Sequence, residues 1–297
     1  MTVESDRSGT GAFHSVALDS GTPETRLPVR IGHISDIHFG RITDANIVDA
    51  LVSDLEAGDL DLVIISGDLT QRAFPGQFRA ASQFLDRISS RWLVVPGNHD
   101  VYPWWRIRLR LTDPLRRYKK WISEELNQQI DWPDLSVLGI NSAHGMTIQG
   151  GRIDASERAS MATFFSSVPD RTFKILVVHH HLTSLDALDD HDVAVNAAET
   201  LQSAADLDVD MILCGHLHIS QIAHVENVRP GHSIVVCTAG TATSDRGRGS
   251  NKSRNFYNKI VVSNLDVEIE EREYDAAARR FVATSAHTFA RQRRSGP

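Results

Sequence analysis

Cysteine is scarce: the 297-residue chain has two. That excludes a small scaffold stapled by disulfides. Cys214 and Cys237 both lie inside apolar runs. Buried reduced thiols are the expectation, with a disulfide between neighbouring strands as the alternative. A long hydrophobic run is also missing, since no stretch approaches the ~18 residues of a membrane span. The opening "MTVESDRSGTGAFHSVALDSGTPETR" lacks the basic start and apolar centre of a secretory signal, so a cytoplasmic protein is expected. There is no excess of positive charge. With His neutral the net charge is −7, which argues against a molecule built as a whole to hold nucleic acid. What the chain has in quantity is histidine, 14 copies, many of them clustered.

The length suits one large domain or two small ones. Residues 1–27 are polar and rich in Gly, Ser and Thr, and read as a flexible tail. Residues 28–275 read as the folded domain, and 276–297 as a basic frayed end. Within the domain, short apolar runs alternate with amphipathic ones. "VRIGHIS", "LDLVIIS" and "RWLVV" read as strands, the second with the continuous apolar core of a strand covered on both faces. Thr43 reads as the cap of a helix whose Ile47, Val48, Leu51, Val52 and Leu55 share a face. A second helix is expected over 77–88, and others near 155–167 and 193–205. "LSVLGIN", "FKILVV", "DMILC", "HSIVVCT", "FYNKIVV" and "DVEIEEREY" are further strands. An early βαβα pattern followed by strands implies mixed sheets packed face to face with helices outside.

Five of these runs end in polar, metal-binding residue types. The first leads to Asp36 and His38, the second to Asp68, the third to Asn98, His99 and Asp100. "KILVV" leads to His179, His180 and His181, and "MILC" to His216 and His218. In open α/β sheets ligands gather at the carboxyl ends of the strands, so the five motifs should meet on one edge. Each alone is weak evidence: a Gly-Asp after a strand is usually a turn. Together they have no rationale as packing, because buried they leave many polar atoms to satisfy. The inventory suits two metals better than one structural zinc, having too many oxygens and both cysteines inside the apolar runs. Mixed imidazole, carboxylate and amide donors favour Mn or Fe and admit Zn.

The ordered set "DIH", "GD", "GNHD", "HHH" and "GHLH" resembles the calcineurin-like metallophosphoesterases, over roughly residues 29–262. The flanking "HISDIHFG" resembles the bacterial branch of cyclic-nucleotide and glycerophosphodiester phosphodiesterases. The resemblance implies an α/β four-layer αββα sandwich of two mixed β-sheets flanked by helices. It implies two divalent or trivalent metal ions. Asp36, His38 and His218 would hold the first, and Asn98, His179 and His216 the second, with Asp68 bridging. The family usually shows His-His-Pro at the fourth motif and this chain has a third histidine. His179 aligns as the ligand, His180 is the fallback, and His181 could face substrate. His99 would lie beside the substrate phosphate as a catalytic group, with Asp100 accepting from its ring and favouring the protonated form. A water activated by the metal pair would attack phosphorus in line.

The expected substrate is a small-molecule phosphodiester. Alternatives are a phosphomonoesterase or phosphoprotein phosphatase on the same scaffold, and a non-catalytic metal-binding scaffold or sensor. Residues 101–134 read as a helical insertion holding four of the five tryptophans and many Arg and Lys. It could pack plainly on the domain, cap the metal edge, or touch a membrane surface peripherally. Arg246, in a Gly-rich loop, and His144 are candidate substrate contacts. His33 reads as a supporting core residue, and His191, His224 and His232 lie off the pattern. The last strands could pair across a homodimer.

Overall fold

The computed structural model describes residues 27–146, 150–183, 193–229 and 232–291. His191 and both expected tails, apart from Leu27 and residues 276–291, lie outside them. Two six-stranded sheets form the centre. The first contains β1 (Val29–Ile34), β2 (Leu62–Ile65), β3 (Arg91–Val94), β10 (Phe256–Val262), β11 (Asp266–Asp275) and β12 (Arg280–Ala290). Its order is β12-β11-β10-β1-β2-β3. The second contains β4 (Gln129–Trp132), β5 (Leu135–Gly139), β6 (Phe173–Val177), β7 (Met211–Cys214), β8 (Gln221–Arg229) and β9 (His232–Thr238). Its order is β4-β5-β6-β7-β9-β8. Strands β1 to β3 run parallel, as do β5, β6, β7 and β9, while β10, β11, β12, β4 and β8 join by antiparallel pairing.

Strand alternation sorts side chains into three cores. Ile31, Leu62, Ile64 and Leu93 point between the sheets and meet Val137, Ile175 and Val235. Ile34, Val63, Ile65 and Val94 point outward, under α1 (Ile47–Ala57) and α2 (Pro75–Leu85). Leu138, Leu176 and Ile212 cover the other outer face, under α5 (Ala155–Ser166) and α6 (Ala197–Asp206). The layers are thus helix, sheet, sheet, helix, and burial on both faces explains the unbroken apolar runs.

Between β3 and β4 lie the short helices α3 (Ile107–Thr112) and α4 (Arg116–Trp121). The expected helical insertion therefore ends early, because Gln129–Trp132 pairs with β5 as an edge strand. Residues 276–290 are not a tail either. They turn back so that β12 pairs with β11 along its length. Thr43 does not cap α1, whose N-cap is Asn46; the Thr43 hydroxyl donates instead to the Thr243 carbonyl at 2.7 Å. Both cysteines are free and buried. Leu213 pairs with Cys237 in the ladder, so Cys214 lies one step away and faces the opposite core.

Candidate metal centre

The carboxyl ends of the parallel strands of both sheets meet on one edge. Backbone bonds hold the loops there: Asp36 N–H donates to Gly67 O (3.0 Å), His38 N–H to Asp68 O (3.0 Å) and Gly215 N–H to His179 O (3.1 Å). Thr241, just after β9, ties the sheets together by donating its hydroxyl to Asp36 O at 2.8 Å. Asp36, His38, Asp68, His216 and His218 all have positive φ, between 52° and 69°. Such backbone is strained for side-chain-bearing residues and concentrates at functional sites.

Glycines let the loops close. A Cβ on Gly67, whose φ is +101°, would lie 2.4 Å from the His179 ring. A Cβ on Gly97 would lie 2.1 Å from Asp68 Oδ1, and one on Gly215 2.6 Å from Asp36 Oδ2. In each case the glycine preceding one polar strand-end residue makes room for another from a different strand.

The side chains converge. His38 Nε2 lies 3.5 Å from Asp36 Oδ1 and 3.7 Å from Asp68 Oδ2. His218 Nδ1 is 3.3 Å from Asp36 Oδ1. His179 Nε2 is 3.5 Å from Asp68 Oδ2 and 3.2 Å from Asn98 Oδ1, which is also 3.1 Å from His216 Nδ1. Asp36, His38 and His218 thus form one potential metal cluster, and Asp36, Asp68 and His179 another; His179, His180 and His216 form a third group. Asp36 Oδ1, His38 Nε2, Asp68 Oδ2 and His218 Nδ1 are buried without a hydrogen-bond partner. Orphaned donor and acceptor atoms, buried and facing one another, are costly unless a cation takes them. The ring tautomers agree for two histidines. His38 Nδ1–H donates to Thr70 O at 3.3 Å and His179 Nδ1–H to Ser66 O at 2.7 Å, leaving each Nε2 lone pair for the cluster. This is a binuclear metal-binding site.

Electrostatics fit the same picture. Burial pushes the Asp68 carboxyl up, but His179, His99 and His38 around it outweigh that and hold it well below the usual range. Asp36 is likewise held low, by His218 and His38 against burial. Burial lowers His179 too, yet Asp68 and Asp36 raise it to about 9. Burial drives His216 and His218 down to about 3.

Several expectations about neighbouring residues change. Asp100 does not accept from the His99 ring. The Pro96–Gly97 turn folds its carboxylate back under β2, where it accepts from the N–H groups of Gly97 (3.0 Å), Leu69 (3.2 Å) and Thr70 (2.9 Å). Burial and then Asp68 raise Asp100 to about 6. The His99 Nδ1–H donates to Gln71 O at 2.7 Å, and burial lowers the ring below its ordinary pKa rather than favouring the imidazolium. His181 is fully buried, with Nε2 3.0 Å from Gly215 O, so it faces inward and not toward substrate. His180 bonds Ser142 Oγ through Nδ1 (2.8 Å), and its ring lies 4.5 Å from the His216 ring at a tilt of 51°. His144 Nε2 is turned to Arg152 O at 2.8 Å. Arg246 does reach the cluster, its Nε–H donating to His218 Nε2 at 3.2 Å. His33 supports the edge from below, with Nε2 3.0 Å from Ser66 Oγ. His232 is buried far from the edge, bonded to Val209 O at 2.9 Å. Sequence reasoning missed the roles of Ser66, Thr70 and Gln71, whose carbonyls orient three of the imidazoles; backbone acceptors leave no sequence signal.

The calcineurin-like phosphoesterase family model matches residues 29–220, and the chain belongs to that family. A curated relative, a probable cyclic nucleotide phosphodiesterase of Vesicomyosocius okutanii subsp. Calyptogena okutanii (strain HA), is 22% identical over 215 residues. That match covers 69% of this chain and 81% of the relative. Among solved structures, a yellow lupin purple acid phosphatase superposes with a TM-score of 0.69 at 12% identity. It covers 91% of this chain, which spans only 55% of the lupin one. A dimetal phosphatase from Danio rerio gives 0.61 at 12% identity, covering 89% of this chain and 99% of its own. At such identities the superpositions show the fold alone. Among the described residues, no helix is long and apolar enough to cross a membrane.

Proposed function

We propose that the protein is a binuclear metal-dependent phosphodiesterase acting on a small-molecule phosphodiester such as a cyclic nucleotide, a nucleotide diester or a glycerophosphodiester. The observation that carries this reading is the ring of orphaned buried atoms on Asp36, His38, Asp68 and His218, joined by Asn98, His179 and His216. In it, Asp36, His38 and His218 would hold one ion and Asn98, His179 and His216 the other, with Asp68 available to both. Such a pair supplies an activated water and neutralises charge on phosphoryl oxygens. Manganese or iron suits the mixed donors best.

The chain's own residues do the rest. His99, its ring 4.8 Å from that of His38, would lie beside the substrate phosphate. With Nδ1 committed to Gln71 O, it reaches substrate through Nε2 and donates only as imidazolium. A bound phosphate anion counters the lowering by burial and makes that form accessible. Asp100 acts by fixing the turn that carries Asn98 and His99.

Arg246 is the proposed phosphate contact. Its hydrogen bond needs the His218 Nε2 lone pair, which places the proton on Nδ1. Were His218 to bind a metal through Nδ1, its proton would sit on Nε2 and the Arg246 guanidinium, half-buried at the rim, would be free for an anion. One released cation matches a singly charged diester better than a doubly charged monoester. The curated relative's name agrees with a diester.

Hydrolysis of bis-p-nitrophenyl phosphate by metal-stripped protein, with and without Mn²⁺ and beside the mono-ester, tests the reading. Metal-dependent cleavage of the diester supports it. Cleavage of the mono-ester alone moves the assignment to a phosphomonoesterase. Two bound ions with no turnover of either would favour a metal-binding scaffold.

A further inference from the structure

A run of positive charge and several exposed large apolar side chains occur together in one segment. Residues 104–121 contain seven Lys or Arg and a single acid, Asp113, in a chain whose net charge is −7. On the turn Trp104–Arg106 and the following α3, Trp104, Ile107 and Leu111 are 57–67% exposed. Ile107 and Leu111, four apart, share one face of α3, and Trp104 is exposed on the turn just before it. That face is not a core face that failed to pack. The segment is anchored on its other side: buried Arg110 donates to Gly145 O (2.8 Å), Leu115 is buried, and the Tyr118 hydroxyl donates to Val94 O (3.1 Å). Trp105 and Phe74 extend the apolar surface, their rings 6.5 Å apart, with Arg72 lying 5.6 Å over Trp105. Arg72, Arg106 and Arg108 are exposed and have no carboxylate partner among the described residues.

We infer that this surface docks the protein on an anionic lipid bilayer. Trp rings with an aliphatic stripe enter the headgroup boundary while Arg side chains meet lipid phosphates. Charge selects this occupant. A second copy would bring like charge against like, and nucleic acid offers nothing to an exposed Ile–Leu stripe. The surface adjoins the metal edge, since Arg72 and Phe74 follow Gln71, the partner of the His99 ring. Docking therefore holds that edge close to the membrane. It does not depend on the phosphodiesterase reading.

Flotation of the full chain with vesicles of phosphatidylcholine alone, or mixed with phosphatidylglycerol, tests the inference. The wild-type protein should float with the mixed vesicles, less so at high salt, and not with neutral ones. Arg106→Gln/Arg108→Gln should weaken binding roughly 30-fold, two basic contacts at the usual lipid increment. Trp104→Ala/Trp105→Ala should weaken it while leaving circular dichroism unchanged, because both side chains face solvent. No flotation of the wild type, equal flotation with neutral vesicles, or undiminished binding by the Trp pair would each overturn it. So would a wild-type dimer in sedimentation velocity that dissociates in the Trp variant, which would assign the face to a second copy.

Discussion

Gly97→Ala perturbs the geometry of the centre without replacing any proposed ligand. The new methyl would lie 2.1 Å from Asp68 Oδ1, 2.4 Å from Asp68 N and 2.8 Å from Asp68 Cγ. Comfortable contacts lie near ~3.5–4.0 Å, so the shortfall exceeds about 1 Å. A rotamer change of Asp68 could relieve the oxygen but not the nitrogen, which belongs to the main chain. That carboxylate oxygen also accepts from His99 N–H at 2.8 Å, so moving it loosens the turn carrying His99. Overpacking of this kind costs about 1–3 kcal/mol of stability. A displacement of about 1 Å in a reacting site costs roughly 10²-fold in rate. Gly97→Ala should therefore bind less Mn²⁺ by elemental analysis, melt lower, and lose about that factor on the diester. Gly76→Ala, in α2, is the control: nothing lies within 4 Å of its added Cβ, and helix propensity should raise stability by up to about 1 kcal/mol. A Gly97→Ala protein with full metal content and wild-type turnover would refute the claim that Asp68 is pinned between the two loops.

His99→Ala should retain both metals and lose roughly 10²–10⁴-fold in kcat, the range of a positioned acid or base; collapse of metal content would move His99 into the ligand set. Arg246→Gln should lower kcat/KM about 10–100-fold through KM, and an unchanged KM would remove it from the phosphate site. His33 supplies a pH test in metal-stripped protein. Burial depresses it from an ordinary 6.5 to about 3, so its contribution is whole above 6.5 and is lost as pH falls toward 3. His33→Asn removes that loss, up to about 5 kcal/mol. The stability gap between wild type and variant should close on acidification, and acid titrations of equal steepness would contradict it.

The layers of the fold were legible because burial on both faces writes itself as unbroken apolar runs. Strands β4, β8 and β12, which the sequence pattern does not predict, lack that signature. β12 is flanked by solvent and reads "RFVATSAHTFA", and most of its residues are half-buried or exposed. It is a strand because β11 offers a full ladder, not because its own composition demands one. β4 was absorbed into a basic, Trp-rich segment for a similar reason: only Ile130 of its four residues is buried.

The site was legible as a list of polar strand ends, because one sheet edge collects whatever follows parallel strands. What the list could not carry is direction. His179, His180 and His181 are consecutive, yet one meets Asp68, one Ser142 and one Gly215. Strand alternation would turn neighbours to opposite faces, but β6 has already ended at Val177 and each ring follows its own hydrogen bond, to the Ser66 carbonyl, the Ser142 hydroxyl and the Gly215 carbonyl. Asp100 shows the same limit: adjacency to His99 suggested a pair, and a tight turn made it a backbone acceptor instead. Direction at this edge comes from the left-handed residues Asp36, His38, Asp68, His216 and His218. Each reverses the path that the preceding strand set, so two residues apart in sequence can aim at one point. A surface turn would place Gly or Asn there to avoid the cost. Keeping aspartate and histidine at those positions makes sense when what the side chains hold outweighs the strain of the backbone that presents them.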